Sequence, residues 1–109
     1  MRRFTQKRAA TERLYNKIKQ LILEERPHCC QACGRSDIHI SFSHRIPRSR
    51  RPDLIADKEN IDLMGLECGC HDKVETGRYN ELANGQEIVS YIRRVDPEFF
   101  GLKVILNNS

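Results

Sequence analysis

Apolar residues return at helical spacing from about Thr5 to Glu25. Leu14, Ile18, Leu21 and Ile22 fall on one face, with Tyr15 and Glu25 at its margin. Arg8, Lys17 and Lys19 fall mostly elsewhere, and Pro27 ends the pattern. A first helix is therefore expected, packing over the cysteine-bearing module that follows, with DNA contact by its basic face as a secondary role. The period then changes to two. Ile38, Ile40, Phe42, His44 and Ile46 alternate with His39, Ser41, Ser43 and Arg45, which predicts a strand. His44 shares the apolar face, which a helix should cover, while Ser43 points away from it. Pro47 to Lys58 reads as a basic loop and Asn60 to Met64 as a short return strand. His71 to Thr76 fits a short helix with Gly77 just past its end. Gln86 to Val95 predicts another helix, with Ile88, Val89, Ile92 and Val95 as its stripe. Asp96-Pro97-Glu98 then reads as an N-cap followed by proline at the first helical position. Asn107 to Ser109 are expected to fray. No internal repeat or long low-complexity stretch interrupts this order.

These elements predict a small α+β protein. At 109 residues one domain is expected, with a thin core. It divides into an amphipathic helix over 1–28, a central unit over 29–77 and a helical extension over 78–109. Chains this small often add a metal or disulfide staple. Five cysteines, an odd number with CxxC and CxC spacing, favour metal over a disulfide framework. No apolar run approaches bilayer length, and the stretch Met1 to Arg8 lacks the apolar segment of a signal peptide. An intracellular, cytoplasmic setting is expected, where thiolates persist as ligands.

Net charge is +4, and its placement is more telling than its size. Positive residues gather at Arg2, Arg3, Lys7, Arg8 and Arg13, and again at Arg45, Arg48, Arg50 and Arg51. Clustered Arg is the footprint of a phosphate-binding surface, and solvated surface is the bland reading of the first cluster.

The sharpest chemistry lies in Cys30-Gln31-Ala32-Cys33-Gly34 and Cys68-Gly69-Cys70-His71. Two thiolate pairs can close a tetrahedral zinc site, and four-thiolate sites are structural. Gly34 suits the tight turn after the first pair. Cys29 is expected to be a small buried residue. It is also an alternative to Cys30, and His28 is a weaker competitor. Redox or iron chemistry lacks support, since there is no Gly-rich flavin loop and no thioredoxin-like βαβ pattern.

Between and after the cysteine pairs stand Ser43-His44-Arg45-Ile46-Pro47, then Asn60, then His71. In this order the chain resembles the HNH endonucleases, the zinc-stapled kind found in many bacterial and phage genomes. The resemblance covers about Cys29 to Gly77. It implies a ββα-metal core, with a hairpin and a helix joined around structural zinc and flanking helices on both sides. It implies hydrolysis of DNA phosphodiester bonds, with His44 as general base, Asn60 holding the loop that orients it, and His71 binding a catalytic Mg2+ or Mn2+. Two departures stand out. Glu67 occupies the usual first position of the second cysteine pair, so the spacing is CxC. Ser43 stands where the family often carries a metal-binding Asp or His, although Ser43-His44 with Arg48-Ser49 resembles a phage-type subset.

The residues themselves agree with this chemistry. Neutral imidazole can take a proton from water, and a divalent cation can stabilise a leaving oxygen. With His44 on the helix-facing side of its strand and zinc pinning the turn that presents His71, the two rings are expected in one cleft. Hard cations prefer carboxylate oxygen, and Glu75 lies one helical turn past His71. A solvent-facing acid is the competing reading of Glu75. Arg45, Arg48, Arg50 and Arg51 should position DNA through its phosphates with little sequence preference. Two other functions stay open. One is a non-catalytic zinc-knuckle nucleic-acid-binding protein, and the other a structural adaptor in a larger phage or bacterial assembly. No membrane partner is expected, and monomer or dimer stays undecided.

Overall fold

The computed structural model describes residues 2–105, with side chains from 8 to 104. The expectation for Asn107 to Ser109, and the side chains of Arg2, Arg3 and Lys7, lie outside those described. Helix α1 runs Arg2–Glu25. Tyr15 and Ile22 are its buried residues and Ile18 is partly buried, whereas Leu14 and Leu21 are 52% and 43% exposed. The buried stripe is therefore turned away from the expected one. The reason is the width of what α1 covers. Two strands about 5 Å apart accept only a narrow line of side chains. Arg26 fixes the exit from α1, donating to the carbonyls of Ile61 at 2.5 Å and Lys58 at 3.0 Å.

Strands β1, Ile40–His44, and β2, Ile61–Gly65, form a two-stranded antiparallel sheet. Ser41 lies opposite Met64, Phe42 opposite Leu63, Ser43 opposite Asp62 and His44 opposite Ile61. Opposed residues share a face, so the register defines two layers. Ile40, Phe42, Ile61 and Leu63 pack against Tyr15 and Ile22 of α1. Met64, on the other face, joins the larger core with Ile46, Cys30, Cys70 and the C-terminal helices. The ladder is shorter than the alternation suggested. Past Arg45, the amide of Ile46 bonds the Asn60 side chain rather than a strand neighbour.

Helix α2 spans Cys70–Glu75, and Val74 is buried beneath it. A short 3₁₀ turn, Tyr79–Glu81, leads to α3, Gly85–Val95. Ile88, Tyr91 and Ile92 are buried there, while Val89 and Val95 are only partly so. Tyr91 takes the place expected of the valines because its hydroxyl reaches the Asp57 carboxylate, 2.7 Å away. Asp96 caps α4, Pro97–Phe99, by accepting the Phe99 amide, with Pro97 at the first position. A π-helical turn, Phe100–Ile105, follows. Phe99 and Val104 enter the same core as Cys30 and Met64, so the C-terminal helices and the cysteine region share one interior. The fold is a small α+β arrangement with helices on both faces of the sheet. Among the described residues no helix is long and apolar enough to cross a membrane.

Candidate metal centre and active site

Cys30, Cys33, Cys68 and Cys70 converge, with all sulfur atoms within 4.8 Å of one another. The Cys68 and Cys30 sulfurs are 3.8 Å apart. Zinc–sulfur bonds of about 2.3 Å in a tetrahedron imply sulfurs about 3.8 Å apart, so the donor set can hold a metal ion such as zinc. Local backbone explains the convergence. The Cys30 carbonyl accepts the Gly34 amide at 2.8 Å, and Gly34 has φ +81°. Gly69 has φ +77°, a left-handed conformation that turns the chain between Cys68 and Cys70 within one residue. That turn absorbs the CxC spacing. Gly65 is needed for close approach, because a Cβ there would lie 2.6 Å from the Cys68 sulfur.

The electrostatics suit a cation. Burial works against a thiolate at Cys30, but backbone amides of Cys33, Gly65 and Ala32 outweigh it and bring the group down to about 6. Burial, then the neighbouring sulfurs of Cys68 and Cys30, push the Cys70 thiol well up. Cys30 gives up its proton readily, while crowding by the neighbouring sulfurs makes Cys70 resist. Cys29 is half-buried, His28 is exposed, and neither belongs to the cluster. Glu67 instead ties the turn to the strand, accepting the His39 amide at 2.6 Å.

His44 packs its ring 5.4 Å from that of Tyr15 on α1. Its Nε2 lies 3.0 Å from the Ile55 carbonyl. A carbonyl only accepts, so Nε2 carries the hydrogen and Nδ1 keeps its lone pair. Burial lowers its pKa from the ordinary 6.5, and the charges of Arg48, His71 and Lys19 lower it further, against the Ile55 bond. The loop that supplies this carbonyl is held by Asn60, which is wholly buried. Its Oδ1 accepts the Ile46 amide at 2.8 Å, and its Nδ2 donates to the carbonyls of Ile46 and Leu54 at 3.1 Å each.

His71 does not share a cleft face with His44. Its Nδ1 is 2.5 Å from the Ser41 hydroxyl, and Ser41 and His44 point to opposite faces of β1 by strand alternation. The covering helix at His44 is α1, not α2. The same alternation turns Ser43 toward the α2 and α3 layer, where it is buried, rather than away from it. The Ser41 hydroxyl donates to the Met64 carbonyl at 2.9 Å. A carboxylate only accepts, so the Nε2–H of His71 donates to Glu75 at 2.9 Å, while its Nδ1 rests on the Ser41 hydroxyl. Period two places Ser41 on the face of Ser43, so its role was visible in the strand pattern. No spacing pointed to the Ile55 carbonyl or Tyr15.

The arginines that follow His44 are drawn into ion pairs. Arg45, 10% exposed, grips buried Asp62 with two of its guanidinium nitrogens at 2.9 and 3.0 Å. Arg50 pairs with Asp96 at 3.2 Å, and Arg51 with Asp53 at 2.9 Å and with Asp96 at 3.5 Å. Arg48 bonds Glu12 of α1 at 2.7 Å and stays 55% exposed. Comparison with protein-family models, with curated proteins and with solved structures finds no match.

Proposed function

We propose that this chain is a metal-dependent endonuclease of the HNH kind, a ββα-metal fold stapled by zinc on Cys30, Cys33, Cys68 and Cys70, that nicks or cuts DNA. The observation that carries the reading is the state of His44. Its Nε2–H is spent on the Ile55 carbonyl, its Nδ1 is a bare base, and burial favours the neutral form. Nδ1 takes the proton of the attacking water. Asn60 acts as a positioning residue. It fixes the Leu54 carbonyl, and with it the adjoining Ile55 carbonyl that sets the tautomer of His44.

His71 Nε2 and Glu75 fit a divalent cation, since a 2.9 Å separation is close to the roughly 3.0 Å between adjacent ligands of an octahedron with bonds of about 2.1 Å. Bound there, Mg2+ or Mn2+ would polarise the scissile phosphate and stabilise the leaving oxygen. Ser41 orients the imidazole for that role.

The test is nicking of supercoiled plasmid with added magnesium or manganese, wild type against His44→Ala. The variant should lose activity by about 10²–10⁴-fold while its circular dichroism is unchanged. Full activity in that variant removes His44 from the chemistry. Buried Ser43 in place of an acidic ligand favours a second reading, a zinc-knuckle protein that binds nucleic acid without cutting it. Binding by the wild type with no metal-dependent nicking would select that reading.

A further inference from the structure

Helix α1 lies outside the region of family resemblance, yet it forms one wall around His44. Tyr15 packs against the His44 ring at a tilt of 51°. The Lys19 ammonium sits 4.4 Å from the centre of the Tyr15 ring and 5.8 Å from that of Phe42. The Arg48 guanidinium lies 5.7 Å from the same Tyr15 ring. Two cations thus gather on one aromatic ring that also touches the imidazole. Among the described residues Lys19 makes no ion pair, while the partner of Arg48 is Glu12, one turn before Tyr15 on α1. Glu12 supplies a carboxylate to Arg48 alone.

We propose that Lys19 and Arg48 form a clamp for a phosphodiester of a nucleic-acid strand beside His44, with Glu12 occupying Arg48 until a phosphate displaces it. The proposal rests on the nuclease reading of His44 only for its purpose, not for the binding itself. The chemistry is that of phosphate recognition. Guanidinium forks match phosphate oxygens as well as carboxylate, and an ammonium serves as a point charge. An exposed carboxylate–guanidinium pair is weak enough to exchange for a polyanion. Tyr15 holds both long side chains in place by cation–π contact, which lowers the ordering cost of capture.

The experiment is fluorescence anisotropy of a labelled duplex DNA with the zinc-loaded protein, without added magnesium, across a salt series. Lys19→Gln and Arg48→Gln should each flatten the slope of log K against log salt by about 0.9. Lys17→Gln, which removes the same charge from the far side of α1, should leave the slope as it is. Glu12→Gln should tighten binding in the wild type and change nothing in the Arg48→Gln background. Parallel runs with single-stranded DNA and with RNA identify which strand carries the phosphate. Equal slopes for Lys17→Gln and Lys19→Gln, or no tightening by Glu12→Gln, overturn the clamp. The same series in His44→Ala separates the two proposals. A clamp that persists with no nicking in the wild type sinks the nuclease alone, and nicking without any effect of Lys19 on binding sinks the clamp alone.

Discussion

Replacing Asn60 by Ala removes the side chain that holds the loop between β1 and β2. The size of the effect follows from its bonds. The Ile46 amide and the Ile46 carbonyl each lose the Asn60 partner, whereas the Leu54 carbonyl keeps the Asp57 amide at 3.2 Å. One donor and one acceptor are therefore orphaned in a buried setting, at about 1–3 kcal/mol each, together with a small void. A loss of about 3–5 kcal/mol is expected, a large part of the 5–15 kcal/mol typical of a domain. For a chain of this length it corresponds to a fall in Tm of roughly 10–20 °C. Thermal unfolding of the zinc-loaded protein measures the total, and hydrogen exchange at the Ile46 amide locates it. Protection of that amide should collapse more than protection within α3. A change below about 1 kcal/mol, or an Ile46 amide that stays protected, would refute the clamp role of Asn60.

Metal analysis should find about one zinc per chain, and Cys33→Ser should lower both zinc retention and Tm, because metal binding and folding are coupled in small metallo-domains; a well-folded zinc-free protein contradicts this. Gly65→Ala forces a methyl group against the Ile38 side chain and the Cys68 sulfur and should weaken zinc affinity, read as faster loss to a chromophoric chelator, with an unchanged rate as the opposing result. The pKa of His44 is lowered in the fold, chiefly by burial. Nicking at fixed metal should therefore rise with pH through a midpoint below 6.5 and be flat above neutrality. The same shift makes the unfolded chain bind the proton first, so the stability tied to His44 is complete above 6.5 and declines as pH falls through its folded value. A midpoint above the ordinary histidine value would mean that His44 is not the titrating base.

What was legible in the sequence was mostly local. The cysteine pairs, Gly34, the return strand after Asn60 and the Asp96-Pro97 cap are defined by neighbours within a few positions. Period two predicts β1, but it does not say which helix covers which face, so the expected shared cleft of His44 and His71 missed that α1 covers His44. Helical spacing likewise could not choose between Leu14 and Tyr15, because the choice depends on how narrow the sheet beneath α1 is. The ion pairs of the arginines following His44 were not legible because, apart from Asp53 beside Arg51, their partners lie far along the chain. Asp62 meets Arg45, and Asp96 meets Arg50 and Arg51. The His71–Glu75 pair was legible from one helical turn, and its orientation by Ser41 required only the strand alternation already in hand.

The close approach of the Cys30 and Cys68 sulfurs has a consequence for handling the protein. Thiols this near need to close by less than 2 Å to reach covalent distance. When no metal occupies them, a peroxide can accept two electrons from the pair, releasing water and leaving a disulfide. Metal supply and oxidant then compete for the same atoms, and each blocks the other. A preparation stripped of metal in air would be trapped in a covalent form that zinc cannot rescue until a reductant is added. Its state would depend on the order in which reductant and zinc arrive.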